Sequence, residues 1–462
     1  MSKGKKALKV IGIIFGGLIG LIIVVHIVLN IIFSVQLNNK FAELKSQGRP
    51  MTIAEVVPPP VPDGENAAVL YNKAFVLMTS GEGGNPYIPN KEGGTENNVI
   101  NAIRDIKSPY ISEWTDEQRR EIPRLVDSKQ MQDIYKFLEE GSQKPKCRFN
   151  REYEKGPAMI FPELNPMRDA VRFLCIKALL EAESGKTAEA FDTLLIGLKI
   201  SNHLKDEPIL ISQLVRIACD GMIIDHIKII SDSKVIPVEK ATLIMNELSV
   251  HQGVEPFIKC MDGERVAFGM FAFEEILQGK MLAGDTGGWI LIKHPLVIFA
   301  KPIFKKDFVC YLTLMSKMRF SYDFSSYKVT KDNLIDEQIP RYCIFTNMFM
   351  PALNRVRENA AKYQANIDVC RVGLALKLYK AKNGNYPEGL ESLVSANLLR
   401  EVPIDPFSGK GLVYSRYVGG FKLYSFGPNM QDDFGTPQAK KSNVPAYKDY
   451  DKDYDIVWQS ES

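Results

Sequence analysis

The chain has 462 residues, with 45% hydrophobic and 24% charged side chains, enough to bury a sizeable core, and Gly (33) and Pro (26) at ordinary levels. This excludes disordered, collagen-like and disulfide-dense classes. A net charge of +3 is too small for a nucleic-acid footprint, and five histidines, at 26, 203, 226, 251 and 294, are too few for zinc chemistry built on several imidazoles.

Val10 to Val35 is a run of 26 residues without a charged side chain. As a helix it measures ~39 Å at about 1.5 Å per residue, enough to cross a hydrocarbon layer of roughly 30 Å. It is longer than a signal-peptide core and ends in Ser34-Val35-Gln36-Leu37-Asn38-Asn39 rather than a small-residue cleavage site. Residues 1–36 therefore read as an uncleaved signal anchor. Lys3, Lys5, Lys6 and Lys9 precede the run; Lys40, Lys45 and Arg49 follow it, offset by Glu43. The bias places the short N-terminus in the cytoplasm and the rest of the chain outside. Gly12, Gly16 and Gly20 make a small-residue face through which two copies could pair, although glycine is common in such helices.

Leu37, Phe41 and Leu44 continue a helical stripe, and Val57-Pro58-Pro59-Pro60-Val61-Pro62 breaks it. Ala67, Leu70, Tyr71, Ala74, Phe75 and Met78 recur at helical spacing. Residues 81–98 read as a surface loop, and Thr115 with Gln118 as a capping box. The clearest helix spans Pro166 to Ser184, with Met167, Ala170, Val171, Leu174, Cys175, Ala178, Leu179 and Ala182 on one face and Gly185 as its stop. A second helix carries Ala190, Phe191, Leu194, Leu195 and Leu198, and the short connection packs the two antiparallel. Ser184 to Ala190 resembles the turn and second helix of a tetratricopeptide repeat; without a second copy at about 34 residues, a generic helical hairpin is the alternative. Pro208 and Pro237 sit where first helical turns begin. Trp289 to Phe304 is apolar but interrupted by Lys293, Pro295, Lys301 and Pro302, so it does not span a bilayer. It is expected in the core, the alternative being the membrane surface.

The sequence contains no H-E-x-x-H, G-x-S-x-G or Walker A motif, and no G-x-G-x-x-G after a strand. Asp225-His226 is expected at a helix edge rather than as an acid–base pair. Glu264-Arg265 is expected as a structural ion pair. Seven cysteines, at 147, 175, 219, 260, 310, 343 and 370, form no C-x-x-C and sit in apolar stretches, as buried small hydrophobes do. One or two disulfides remain open, and the odd count leaves a free thiol.

From Ala360 the pattern changes. A helix through Ile367, Cys370, Leu374 and Leu378 ends at Asn383-Gly384, and a short helix follows through Leu390, Leu393 and Val394. Gly411–Ser415 and Phe421–Ser425 read as strands joined through Arg416–Gly420, and Asp455–Trp458 as a last strand.

Ala375-Leu376-Lys377-Leu378-Tyr379, Asn383-Gly384-Asn385-Tyr386-Pro387, Pro403-Ile404-Asp405-Pro406-Phe407, Leu423-Tyr424-Ser425-Phe426-Gly427 and Asp455-Ile456-Val457-Trp458 follow one another in this order. The series resembles the C-terminal domain of the major pseudopilin of type II secretion systems. It covers under a quarter of the chain. The whole chain also looks like uncharacterised membrane-anchored proteins of planctomycete-like bacteria. The first resemblance implies calcium in the loop between the last strands, held here by Asn429, Asp432, Asp433 and Asp455, where Asn429 replaces the family's usual Asp. A solvated acidic loop is the alternative; Asp449, Asp451 and Asp453 share it. Two departures argue against assembly into a pseudopilus. The apolar run lacks the family's Glu, and some 300 residues separate it from the terminal domain.

The expectation is a mainly α protein in three parts: the anchor, a helical domain over 37–350, and a small α+β domain over 355–462. Its expected role is a non-enzymatic protein of the bacterial inner membrane, single-pass, with its bulk in the periplasm and other envelope or secretion proteins as partners. The alternatives are a helical-repeat binding scaffold and an enzyme with an unrecognised helical site.

Overall fold

The computed structural model describes residues 3–79, 98–283, 290–293, 297–320, 339–437 and 454–460. The loop expected at 81–98 lies outside them apart from Asn98, as do Trp289, Pro295 and the aspartates at 449, 451 and 453.

The fold is mainly helical. Helix α1 (Lys3–Ser46) is one unbroken rod, free of proline, and no residue of its most apolar stretch is buried among the described residues. It passes from bare to packed at its C-terminal end, where Leu37 and Leu44 are buried. Helix α2 (Ile53–Val56) is a single turn, and Val57–Pro62 stays non-helical as its prolines require. Helix α3 (Ala67–Thr79) buries Ala67, Tyr71, Ala74, Phe75 and Met78, the expected face. The short α4 (Asn98–Arg104) precedes α5 (Asp116–Val126), which opens on the expected reciprocal Thr115–Gln118 capping box. Then follows α6 (Lys129–Ser142).

Helices α7 (Leu164–Glu183) and α8 (Thr187–Asn202) form the predicted antiparallel hairpin, with every residue of the α7 apolar face buried. Helices α9 (Leu210–Ser233) and α10 (Val238–His251) stack next. The prolines stand where these helices begin, as expected. Pro208 lies two residues before α9, and Pro237 is the residue preceding α10. Helix α11 (Glu255–Glu264) runs through a π-helical turn, Arg265–Met270, into α12 (Phe271–Leu277). A small antiparallel hairpin of β1 (Lys280–Ala283) and β2 (Ile290–Lys293) precedes α13 (Val297–Phe320). The core placement expected for Trp289–Phe304 needs correction. Ile290–Lys293 is a strand, and on α13 Pro302 is buried while Phe299 and Ile303 face outward.

Helix α14 (Ile344–Asn383) is far longer than the sequence suggested and ends, as expected, at Gly384 with φ +83°. After the short α15 (Glu391–Ser395), strands β3 (Val413–Tyr417), β4 (Gly420–Ser425) and β5 (Ile456–Ser460) form an antiparallel sheet in the order β3-β4-β5. Leu423 pairs with Trp458 and Val413 with Tyr424. The hairpin connection is tighter than expected, only Val418-Gly419, with Tyr417 paired to Gly420.

The expected boundary at 350–355 falls inside α14. That helix packs on α9 and α10 along part of its length and carries the sheet further along. Trp458 Nε1 donates to Asp232 of α9 at 3.1 Å, and Lys377 pairs with the same carboxylate at 2.8 Å. One hydrophobic core runs through the helical body and the terminal sheet.

Candidate functional site

Of the four residues expected to hold calcium, Asn429, Asp432 and Asp433 lie on one turn after β4, and Asp455 comes beside them directly before β5. Asn429 Nδ2 donates to Asp433 Oδ2 at 2.8 Å, and the Asp433 amide faces Asp455 Oδ1 at 3.5 Å. Asp455 also accepts from the Gly435 amide at 2.7 Å. Asp432 turns the other way, accepting from the Tyr424 hydroxyl at 3.0 Å and the Phe434 amide at 2.9 Å. The fold thus links Asn429, Asp433 and Asp455 in one chain of hydrogen bonds and sets Asp432 beside it. Burial raises the proton affinity of Asp455, and the neighbouring Asp433 and Asp432 charges add to the effect. The carboxylates are occupied by protein donors, the pattern of a hydrogen-bonded turn. Among the described residues no three His, Cys, Asp or Glu side chains converge as a metal cage.

The titratable groups that the sequence scatters are gathered in the helical body into sealed networks. Asp220 accepts from Ser201, from His251 Nδ1 at 2.8 Å and from the Tyr363 hydroxyl at 2.6 Å. Burial opposes charge on both His251 and Asp220, but each stabilises the other, so the imidazole is held above its ordinary pKa and the carboxyl below. This is Ser, His and Asp in the wrong order for nucleophilic catalysis: the carboxylate, not the imidazole, holds the hydroxyl. Ser201, Asp220 and His251 are also fully buried. A second network joins Arg151 to Glu163 and Glu207, with Tyr153 donating to Glu207 at 3.1 Å.

Asp225 and His226 point apart on α9, one exposed and one buried, and His226 Nδ1 lies 2.6 Å from the Met222 carbonyl. The Glu264-Arg265 pair is corrected. Arg265 and Arg49 both pair with Asp262, while Glu264, half-buried, accepts the Leu210 amide at 3.3 Å and forms no ion pair among the described residues. Burial lifts its pKa from 4.5 to about 7.

One hollow was not legible in the sequence. A cleft of about 500 Å³ opens where α2, the proline-rich stretch, residues 146–148 and α11 meet. Pro50, Val57 and Pro208 give it apolar walls, and Lys146, Arg148 and Lys259 give it cations. Arg148 Nε donates to the Pro58 carbonyl at 2.9 Å, which fixes the proline-rich wall. A smaller hollow of about 190 Å³ adjoins it through Lys146, Cys147 and Asp206, and adds Lys144, Lys199 and Lys205. Burial pushes the Cys147 thiol well above its ordinary pKa, so it is a poor nucleophile. The lining comes from chain segments separated by up to some 200 residues, which no local motif reports.

Comparison with known family models, with curated proteins and with solved structures found no match for this chain.

Proposed function

We propose that the protein is a non-enzymatic, single-pass membrane protein of the bacterial envelope that holds a partner protein at the cleft beside its anchor. The observation that carries this reading is α1 itself. Its apolar half is bare and its last turns are welded into the body, so anchor and cleft form one structure. From Gln36 to Ser46 the helix rises ~16 Å at about 1.5 Å per residue, and Pro50 at the cleft wall follows directly. A partner in the cleft would sit a short distance above the lipid headgroups. Lys3, Lys5, Lys6 and Lys9 favour a cytoplasmic N-terminus and a periplasmic body. Among the described residues, no atom would meet a side chain added at Gly12, Gly16 or Gly20, as a dimer face in the membrane would require.

Association with a secretion apparatus is favoured by one feature: a long helix followed by a three-stranded antiparallel sheet, on which the pseudopilin-like residues fall. Calcium at the Asn429, Asp432, Asp433 and Asp455 turn belongs to the same reading, because a divalent cation would relieve the repulsion among its carboxylates. The test is crosslinking in intact membranes, with a photoreactive residue at Val57 in the cleft and a control at the exposed Val235. A discrete adduct with a secretion-system subunit from Val57 alone is expected. Identical adducts from both positions, or none, would overturn the reading.

A further inference from the structure

Helix α13 runs alongside α1 and parallel to it, from the bare apolar stretch into the body. Phe308 meets Phe41 edge to face, with ring centroids 5.5 Å apart. Lys306 reaches Gln36 at 3.3 Å, and Lys305 donates to Asn30 and Ser34 at 2.8 and 2.7 Å. Phe299 lies against His26, ring centroids 6.4 Å apart. The order of these pairs sets the first turns of α13 beside the exposed apolar part of α1.

At that end Phe299 is 73% and Ile303 47% exposed, although both are large apolar side chains. The start of α14 adjoins them through the Phe304–Phe345 ring contact at 5.7 Å, and adds the exposed Ile344 and Met348. Depth follows from helix geometry. Val10 to Asn30 is about 30 Å of helix at roughly 1.5 Å per residue, the thickness of a hydrocarbon layer. Asn30, Ser34, Gln36, Lys305 and Lys306 then mark its boundary. His26 lies ~6 Å deeper by the same rise, and Phe299 lies with it.

We propose that the first two turns of α13, through Phe299 and Ile303, are a second lipid-embedded element: a short wedge beside α1 in the leaflet nearest the body. This rests on the reading of α1 as a membrane-spanning helix. The occupant of the patch is acyl chain rather than protein, because the patch continues the lipid-facing surface of α1. Lys301, Lys305 and Lys306 lie along the same segment, where their ammonium groups can reach the headgroups while the stems stay in the apolar layer. A single helix leaves a body free to swing over the bilayer. Two insertion points fix its orientation, and with it the height and direction of the cleft.

The test uses the full chain in phosphatidylcholine vesicles that contain a phospholipid with a diazirine in its acyl chain. After irradiation, labelled residues are mapped by mass spectrometry. Labelling on α1 and on residues 299–304 is expected, with none at Val235 and Val238, which are exposed and apolar but lie at the α9–α10 junction and not on α1 or α13. In a Phe299→Asp, Ile303→Asp double variant, both changes at exposed positions, the α13 labelling should vanish while that of α1 and the helical circular dichroism persist. Labelling confined to α1 would overturn the wedge and leave the anchor standing. Equal labelling of Val235 and Val238 would show unspecific capture and would also overturn it. Labelling of neither helix would remove the anchor reading and the wedge with it.

Discussion

Trp458 of β5 lays its indole against the α-carbon of Gly373 so closely that no Cβ fits between them. The ring also meets Phe421 edge to face at 5.8 Å, and its nitrogen donates to Asp232. One side chain thus joins the last strand, the long helix α14 and the helical body.

Gly373→Ala is the first expected outcome. In an exposed helix this change would stabilise by about 1 kcal/mol on propensity alone. Here the methyl group meets the indole, and overpacking should destabilise by roughly 1–3 kcal/mol. Denaturant melts of the variant should show that loss, and Trp458→Leu in the same chain should recover part of it. A stabilised Gly373→Ala would mean that the ring does not occupy this position.

Leu174 of α7 is fully buried between helices of the body. Leu174→Ala should cost about 2–5 kcal/mol, as other large-to-small core changes do. An unchanged melting temperature would place this face elsewhere.

Glu264 gives a pH signature. Its folded pKa, about 7, lies above the ordinary 4.5 because burial penalises the charge. The group therefore binds a proton more tightly when folded. Its contribution to stability is complete below about pH 4.5 and is lost as pH rises through 7. Glu264→Gln should leave stability at pH 4 nearly unchanged and raise it at pH 8 by up to ~3 kcal/mol, the free-energy equivalent of that pKa difference. An equal change at both pH values would show that the carboxyl is not confined.

The Asn429–Asp455 turn yields a calcium prediction. A ligand that binds only the folded state at about 100 times its Kd adds roughly 2.7 kcal/mol. The full chain in detergent should therefore melt higher in calcium than in chelator. Asp432→Ala or Asp433→Ala should abolish most of the difference, and Asp449→Ala should keep it. Identical wild-type curves would make the loop a hydrogen-bonded turn and nothing more.

Cys310 and Cys343 are near enough for each thiol to shift the other's proton affinity, where α13 meets the start of α14, and both are free thiols. With the body in an oxidising envelope compartment, these two thiols should pair as a disulfide. Non-reducing peptide mapping of protein purified from membranes should find the 310–343 link. A fully reduced pair, together with cytoplasmic activity of a reporter fused after Ser462, would reverse the proposed topology.

Local chemistry was enough for the elements. The uncharged run from Val10, the α7 face around Leu174, the Thr115–Gln118 cap and the Gly384 stop each depend on neighbours within a few residues, so they were readable in the sequence. Residues 350–355 lie within α14 because the chain's change of pattern at Ala360 reflects what that helix packs against, not where it begins. The same limit applies to the candidate sites. Periodicity cannot show that Asp262 rather than Glu264 takes Arg265, since the choice depends on Arg49 arriving from the end of α1. Nor can it show that Phe299 faces outward beside His26, because Trp289–Phe304 has the composition of a core segment wherever it lies. Sequence determined which stretches must escape water. Only the tertiary arrangement decided whether each does so in the protein core or in lipid, because burial is set by what long-range packing brings alongside.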